Sequence, residues 1–208
     1  MRTAEKLIAE QGIENVTIRL ILSEAGQKNT SALQYHFQNL SGLISAIHAA
    51  RSKEIQEKRG ELLEALHERT DEPDLRDLCS VMVRPPVELA RARVDYRRYI
   101  KAFGHELALI ETSAFSQAGR QGGGGSSGAQ LGNLLRKKLE HLDNDAFKRR
   151  MDMAVRLCGA AMYHQARQPK AFRGDQADLF VSSLIDALTG LLGAPESEET
   201  VAIASKSR

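Results

Sequence analysis

Cysteine is nearly missing from this chain: Cys79 and Cys158 stand far apart and no CxxC pair exists. The histidines His36, His48, His67, His105, His141 and His164 show no ligand spacing such as HExxH. The usual sequence signs of a zinc site are therefore lacking, and no metal or cofactor is expected. Gly-x-Ser-x-Gly and comparable nucleophile settings are absent too, so the chain does not read as an enzyme. The tract QGGGGSSGAQ is not a phosphate loop, since it lacks a Gly-Lys-Ser/Thr ending and no strand precedes it. No apolar run approaches the ~20 residues of a membrane span. The N-terminus is charged and amphipathic, unlike a signal peptide. These absences point to a cytoplasmic chain whose two thiols stay reduced and buried. A dominant charge of one sign is also missing. The net charge is +2 over 208 residues, and residues 1–48 set Arg2, Lys6, Arg19 and Lys28 against Glu5, Glu10, Glu14 and Glu24. That balance excludes a nucleic-acid binder working mainly by phosphate neutralisation.

What is present is helical period, with no convincing strand alternation. The stretch from Thr17 to Leu43, TIRLILSEAGQKNTSALQYHFQNLSGL, is the most informative. Thr17 is a competent N-cap. Ile18, Ile21, Leu22 and Ala25 follow at helical spacing, and Gly26 suits a left-handed stop. A second short helix can start at Asn29 or Thr30. Ala32, Leu33 and Phe37 give it a thin apolar side, and Thr30, Ser31, Gln34 and Tyr35 a polar one. Such polar side chains hydrogen-bond base edges and phosphate oxygens. A short helix, a tight turn and a polar second helix are the parts of a helix-turn-helix DNA reader.

This segment resembles the DNA-binding domain of the TetR family of bacterial transcriptional regulators. The resemblance rests on AEKLIAEQG (4–12), the Thr-led helix ending in Ala-Gly (17–26), SALQYHF (31–37) with its Tyr-any-His-Phe form, and NLSGLISAI (39–47). It covers roughly the first quarter of the chain. Departures are a turn from Gly26 to Leu33 longer by one residue, Gln34 in place of a tyrosine, Leu40 in place of a phosphate-touching lysine, and Leu22 in place of alanine. Only Met1-Arg2-Thr3 precede the first helix, where family members carry a basic arm. The resemblance implies a homodimer on a palindromic double-stranded DNA operator, released by a small-molecule effector. Its implied DNA contacts are Thr17, Lys28, Asn29, Thr30, Ser31, Gln34, Tyr35 and His36. Of these, Gln34 suits a bidentate adenine contact, and Tyr35 and His36 fix the backbone. His36 either touches phosphate or caps its helix.

The expected fold is all-α. A three-helix reading domain occupies residues 1–48, a larger helical effector-binding and dimerisation domain 49–194, and a tail without regular structure 195–208. A charged helix, RSKEIQEKRGELLEAL, reads as a solvated face with a Glu54–Lys58 pair and a weak point at Gly60. Pro85-Pro86 reads as a break. The glycine-rich tract reads as a loop. Residues 96–110 read as one helix, and Met82, Tyr96, Tyr99, Phe103 and His105 mark an apolar effector pocket with polar tips. Two late helices carry apolar stripes that either complete the monomer core or meet a partner copy. The resemblance favours the second use, placing Val155, Cys158, Met162, Val181, Leu184, Ile185 and Leu188 at a dimer interface. The alternative to a DNA-binding regulator is an all-helical dimeric module that keeps the fold for protein contacts.

Overall fold

Helix starts and stops follow capping chemistry written locally in the chain. The computed structural model describes residues 1–27, 35–119 and 125–206. Among these it is all-helical, with no strand. The helices are α1 (Arg2–Gln11), a 3-10 turn (Ile13–Asn15), α2 (Ile18–Glu24), α3 (Leu40–Arg69), α4 (Leu75–Ala92) and α5 (Val94–Phe103). Short α6 (Glu106–Leu109) and α7 (Ala114–Ala118) follow, then α8 (Gly125–Lys138), α9 (Asn144–Ala166), α10 (Asp175–Gly193) and α11 (Glu198–Lys206). The Thr17 hydroxyl accepts from the Leu20 N–H at 3.2 Å, and Asn39 Oδ1 accepts from the Gly42 N–H at 2.9 Å. Asp74 and Asp77 close a capping box at the head of α4. Gly26, at φ 64°, stops α2 with Gly26 N–H donating to the Ser23 carbonyl and Gln27 N–H to that of Leu22. This is the Schellman pattern, which needs a left-handed residue there.

Two apolar clusters organise the helices. Ala4, Leu7, Ile8, Val16, Ile21, Leu43 and Ile47 bury together with Ala102 and Phe103 of α5. The N-terminal helices thus share a core with α5. The larger cluster is built from α3, α4, α5, α8, α9 and α10. No single helix among the described residues is long and apolar enough to cross a membrane.

Several local expectations are corrected. Pro85 and Pro86 lie inside α4, which runs unbroken from Leu75 to Ala92. Burying Val81, Val83 and Val87 beside them is worth roughly 1.5–3 kcal/mol each, comparable in total with the ~3 kcal/mol that each of the two helical prolines costs. Residues 121–124 of the glycine-rich tract lie outside the described residues; its remainder, from Gly125 to Gln130, opens α8 instead of forming a loop. A Cβ on Gly125 would meet the Gln56 side chain at 2.0 Å, and the Ser127 hydroxyl donates to the Gln56 carbonyl at 2.9 Å. Small residues there serve close helix approach. Residues 96–110 divide at Gly104 into α5 and α6. The charged run of α3 is not solvated throughout, because Arg51 and Ser52 are buried. Glu54 pairs with Arg51 and Arg93, while Lys58 pairs with Glu61 and Glu88. Gly60 sits within the continuous α3. After Pro195, α11 forms where no periodicity is evident: the Ser197 hydroxyl accepts from the Thr200 N–H, and Glu198 and Glu199 occupy its first turn. None of its residues is buried.

Candidate functional site

Two regions carry the candidate site residues. In the N-terminal region, Thr17 is the N-cap of α2, as its hydroxyl ahead of an apolar helical run suggests. Lys28, Asn29, Thr30, Ser31 and Gln34 lie outside the described residues. Tyr35, His36 and Phe37 are helical. Tyr35 is 85% exposed, with its ring edge-on to His36 at 5.3 Å, while Phe37 packs on the N-terminal cluster. The exit from this segment is tight. Gln38 has φ 61°, Asn39 N–H donates to the Phe37 carbonyl at 2.7 Å, and a Cβ on Gly42 would stand 2.0 Å from that same oxygen. Gly42→Ala should therefore push residues 35–37 away from the head of α3. Such overpacking costs about 1–3 kcal/mol. Thermal unfolding should show that loss, and an unchanged melting temperature would mean that the exit relaxes without strain.

The second region is a cavity of about 760 Å³ between α3, α4, α5, α8 and α9, a size ordinary for small-ligand sites. Met82, Tyr96, Tyr99 and Phe103 line it, as the sequence pattern suggests. His105 does not. It stands just beyond the Gly104 break, 4.9 Å from the Tyr163 ring, with a buried Nδ1 that has no hydrogen-bond partner among the described residues. Gly104 permits this crossing: a Cβ there would meet the Ile100 carbonyl at 2.6 Å and Tyr163 Cβ at 3.2 Å. Gly159 likewise lies 3.2 Å, from an added Cβ, to the Gly104 carbonyl. The small residues of α9 thus serve an approach within the chain.

Val155, Cys158 and Met162, expected at a dimer interface, line this cavity instead. Val181, Leu184, Ile185 and Leu188 of the same expectation are buried in the chain's own core, with Leu188 at 0% exposure. The chain itself covers the apolar stripe of α10. Burial pushes the Cys158 thiol up to about 12 and raises that of Cys79, so both are poor thiolate sources near neutral pH.

Sequence reasoning missed two groups. One is the α3 stripe His48, Ser52, Ile55 and Arg59, spaced i, i+4, i+7, i+11, which forms one wall of the cavity. Its spacing was legible, but the charges around it suggested a solvated helix. At its first turn, His48 Nε2 contacts Glu106 at 3.1 Å and Nδ1 contacts the Tyr99 hydroxyl at 3.1 Å. One tautomer satisfies all three groups, with Nε2 donating to Glu106 and Nδ1 accepting from the Tyr99 hydroxyl.

The other missed group is the network around Arg51. Its Nε donates to Glu5 Oε1 at 2.7 Å and its Nη2 to Glu5 Oε2 at 2.8 Å, a bidentate pair between α3 and α1. Glu54 and Asp95 accept from it at 3.0 and 3.1 Å, and Arg93 holds both of those acids. Burial opposes the Arg51 charge, but the hydrogen bonds to Glu5, Glu54 and Asp95 outweigh it and raise its pKa. The Arg51 guanidinium also lies 5.6 Å from the Tyr96 ring centroid and 5.9 Å from that of Tyr99. Glu5 of the N-terminal region is therefore one side chain away from two rings that wall the cavity.

No group of three metal-ligating side chains converges among the described residues. No protein-family model matches this chain, and no curated protein matches it.

Proposed function

We propose that this chain is a ligand-responsive, DNA-binding transcriptional regulator similar to the TetR family. In this reading it represses, binding a palindromic operator as a homodimer and leaving it when a small, mostly apolar effector fills the cavity. The observation that carries the reading is the buried Glu5–Arg51 pair stacked against Tyr96 and Tyr99. It gives a ligand-sized cavity a direct physical link to the N-terminal helices. The Thr17 cap, the Gly26 stop and the tight exit at Gly42 support a helix-turn-helix there. A ligand favouring one arrangement of α3 and α5 would shift the population of reading-head positions.

Dimerisation, in this reading, uses the outward face of α10. Leu179, Ser183, Ala187 and Gly190 are exposed there, and Met153 and Ala160 are exposed on neighbouring α9. The charge balance of residues 1–48 favours the alternative of a protein-interaction module.

DNA binding by fluorescence anisotropy separates the two. With Lys28 the one cation within the sequence from Gly26 to Phe37, the regulator should show a shallow salt slope, on the order of −4 or weaker. Gln34→Ala should cost about 1–3 kcal/mol at one base step of the operator and leave scrambled DNA unaffected. Failure to bind any fragment of the source genome at low salt would sink the regulator reading.

A further inference from the structure

The polar groups of the cavity are distributed between its two ends. At the His48 end they satisfy one another: Glu106 is held by His48, and His48 by the Tyr99 hydroxyl. Arg59 lines the cavity eleven residues further along α3, roughly 16 Å away by helical rise. Tyr96, close enough to interact electrostatically with Arg59, is fully buried, and its hydroxyl has no hydrogen-bond partner among the described residues. Buried polar groups are nearly always satisfied, so an orphaned hydroxyl on a cavity wall marks a place that a bound group completes. Burial raises the Tyr96 pKa well above the ordinary phenol value, so the group available there is an O–H donor. Burial also pulls down the pKa of Arg59, while the guanidinium remains a cation near neutral pH.

The charge of the wall has a sign. Among the described residues Glu106 is its one carboxylate, set against the guanidinium groups of Arg59 and Arg136. Arg136 lies over the Phe147 ring and donates to the Leu139 carbonyl. The rest of the lining is mostly apolar, with Ile55, Met82, Ile100, Phe103, Leu131 and Met151 beside the neutral polar Ser52, Ser116 and Asn133.

We infer that the ligand of this cavity is an elongated apolar carboxylate, its head held by the Arg59 guanidinium and the Tyr96 hydroxyl and its tail lying along α3 toward Phe103. This rests on the reading of the cavity as the effector site. Two donors, one of them charged, suit a carboxylate better than a hydroxyl, and they oppose a cationic head.

Isothermal titration calorimetry of the full chain with three ten-carbon probes tests the assignment: decanoate, 1-decanol and decyltrimethylammonium. Decanoate should bind at least tenfold tighter than 1-decanol, and the cation should show no binding. Arg59→Gln should remove the tenfold preference and leave 1-decanol binding within twofold. Tyr96→Phe deletes only the hydroxyl and keeps the ring, so it should lower decanoate affinity several-fold even if Arg59→Gln fails to fold. Equal affinity for decanoate and 1-decanol overturns the head-group assignment and leaves an apolar effector cavity standing. Tighter binding of the cation reverses the sign and also overturns it. If none of the three binds, the effector-cavity reading falls with the assignment.

Discussion

Arg51→Met is expected to lower the folding free energy by about 3–5 kcal/mol, because it strands a buried carboxylate. Glu5 is 1% exposed, and its two oxygens both accept from Arg51. Methionine fills much of the volume and supplies no donor. Double-mutant logic predicts the recovery: Glu5→Gln with Arg51→Met removes the unpaired charge and should restore a good part of the loss. Urea unfolding of Arg51→Met, Glu5→Gln and the double variant beside the parent chain measures it. A cost under about 1 kcal/mol for Arg51→Met would show that Glu5 is readily hydrated and that the pair does not join α1 to α3. The functional consequence separates linkage from stability. The recovered double variant should keep DNA binding and lose part of its ligand response, since the stacked cation between Tyr96, Tyr99 and Glu5 is gone. Asp95 adds a pH signature to the same network. The hydrogen bond from Arg93, helped by Arg51 and working against desolvation, holds its carboxyl far below the ordinary value. A carboxyl lowered on folding lends stability that is complete above its unfolded value of 3.8 and is lost as pH falls below that value. Acid unfolding should accordingly be less steep in Asp95→Asn than in the parent chain.

Local signals in the sequence were read well where one residue sets one feature. Thr17 before an apolar run, Gly26 after it, and Tyr96, Tyr99, Ile100 and Phe103 on one face of a helix each have a short-range cause. Signals whose meaning depends on a distant element were not. Gly125 and Ser127 have the composition of a linker, and only the nearness of Gln56 makes smallness a packing requirement. Pro85 and Pro86 break an isolated helix but not one whose apolar side is largely buried. Arg51 and Glu5 are 46 residues apart, so no period connects them. Arg59 stood in a charge run that read as solvent-facing, although its i, i+4, i+7, i+11 register with His48, Ser52 and Ile55 was available. On α9 and α10 the apolar stripes were legible, but amphipathicity cannot distinguish a chain's own core from a partner's surface.

That ambiguity makes the two faces of α10 respond in opposite ways to the same kind of substitution. Leu188→Asp should unfold the chain. Leu188 is fully buried beside Leu184, Ile185 and Leu192; truncating such a leucine costs about 2–5 kcal/mol, and a buried carboxylate adds several more. The effect would appear as loss of helical signal and aggregation, not as a folded monomer. Leu179→Glu with Ala187→Glu lies on the outward face, where Leu179 is 60% exposed. Surface changes of this kind usually shift monomer stability by no more than about 0.5 kcal/mol each. In a two-fold dimer each substitution is present twice and acidic side chains face one another, so the pair should split the dimer while the chain stays folded. Operator binding should then weaken by on the order of 10²–10⁴, since the second reading head no longer gains from the first. Light scattering with circular dichroism reads both outcomes. A folded dimer of unchanged mass after both outward substitutions places the interface elsewhere, and a parent chain that is monomeric at micromolar concentration removes the homodimer from the proposed function. The small residues Ser183, Ala187 and Gly190 would let two copies of α10 approach closely, so a single bulky change at Ala187 should already weaken the dimer.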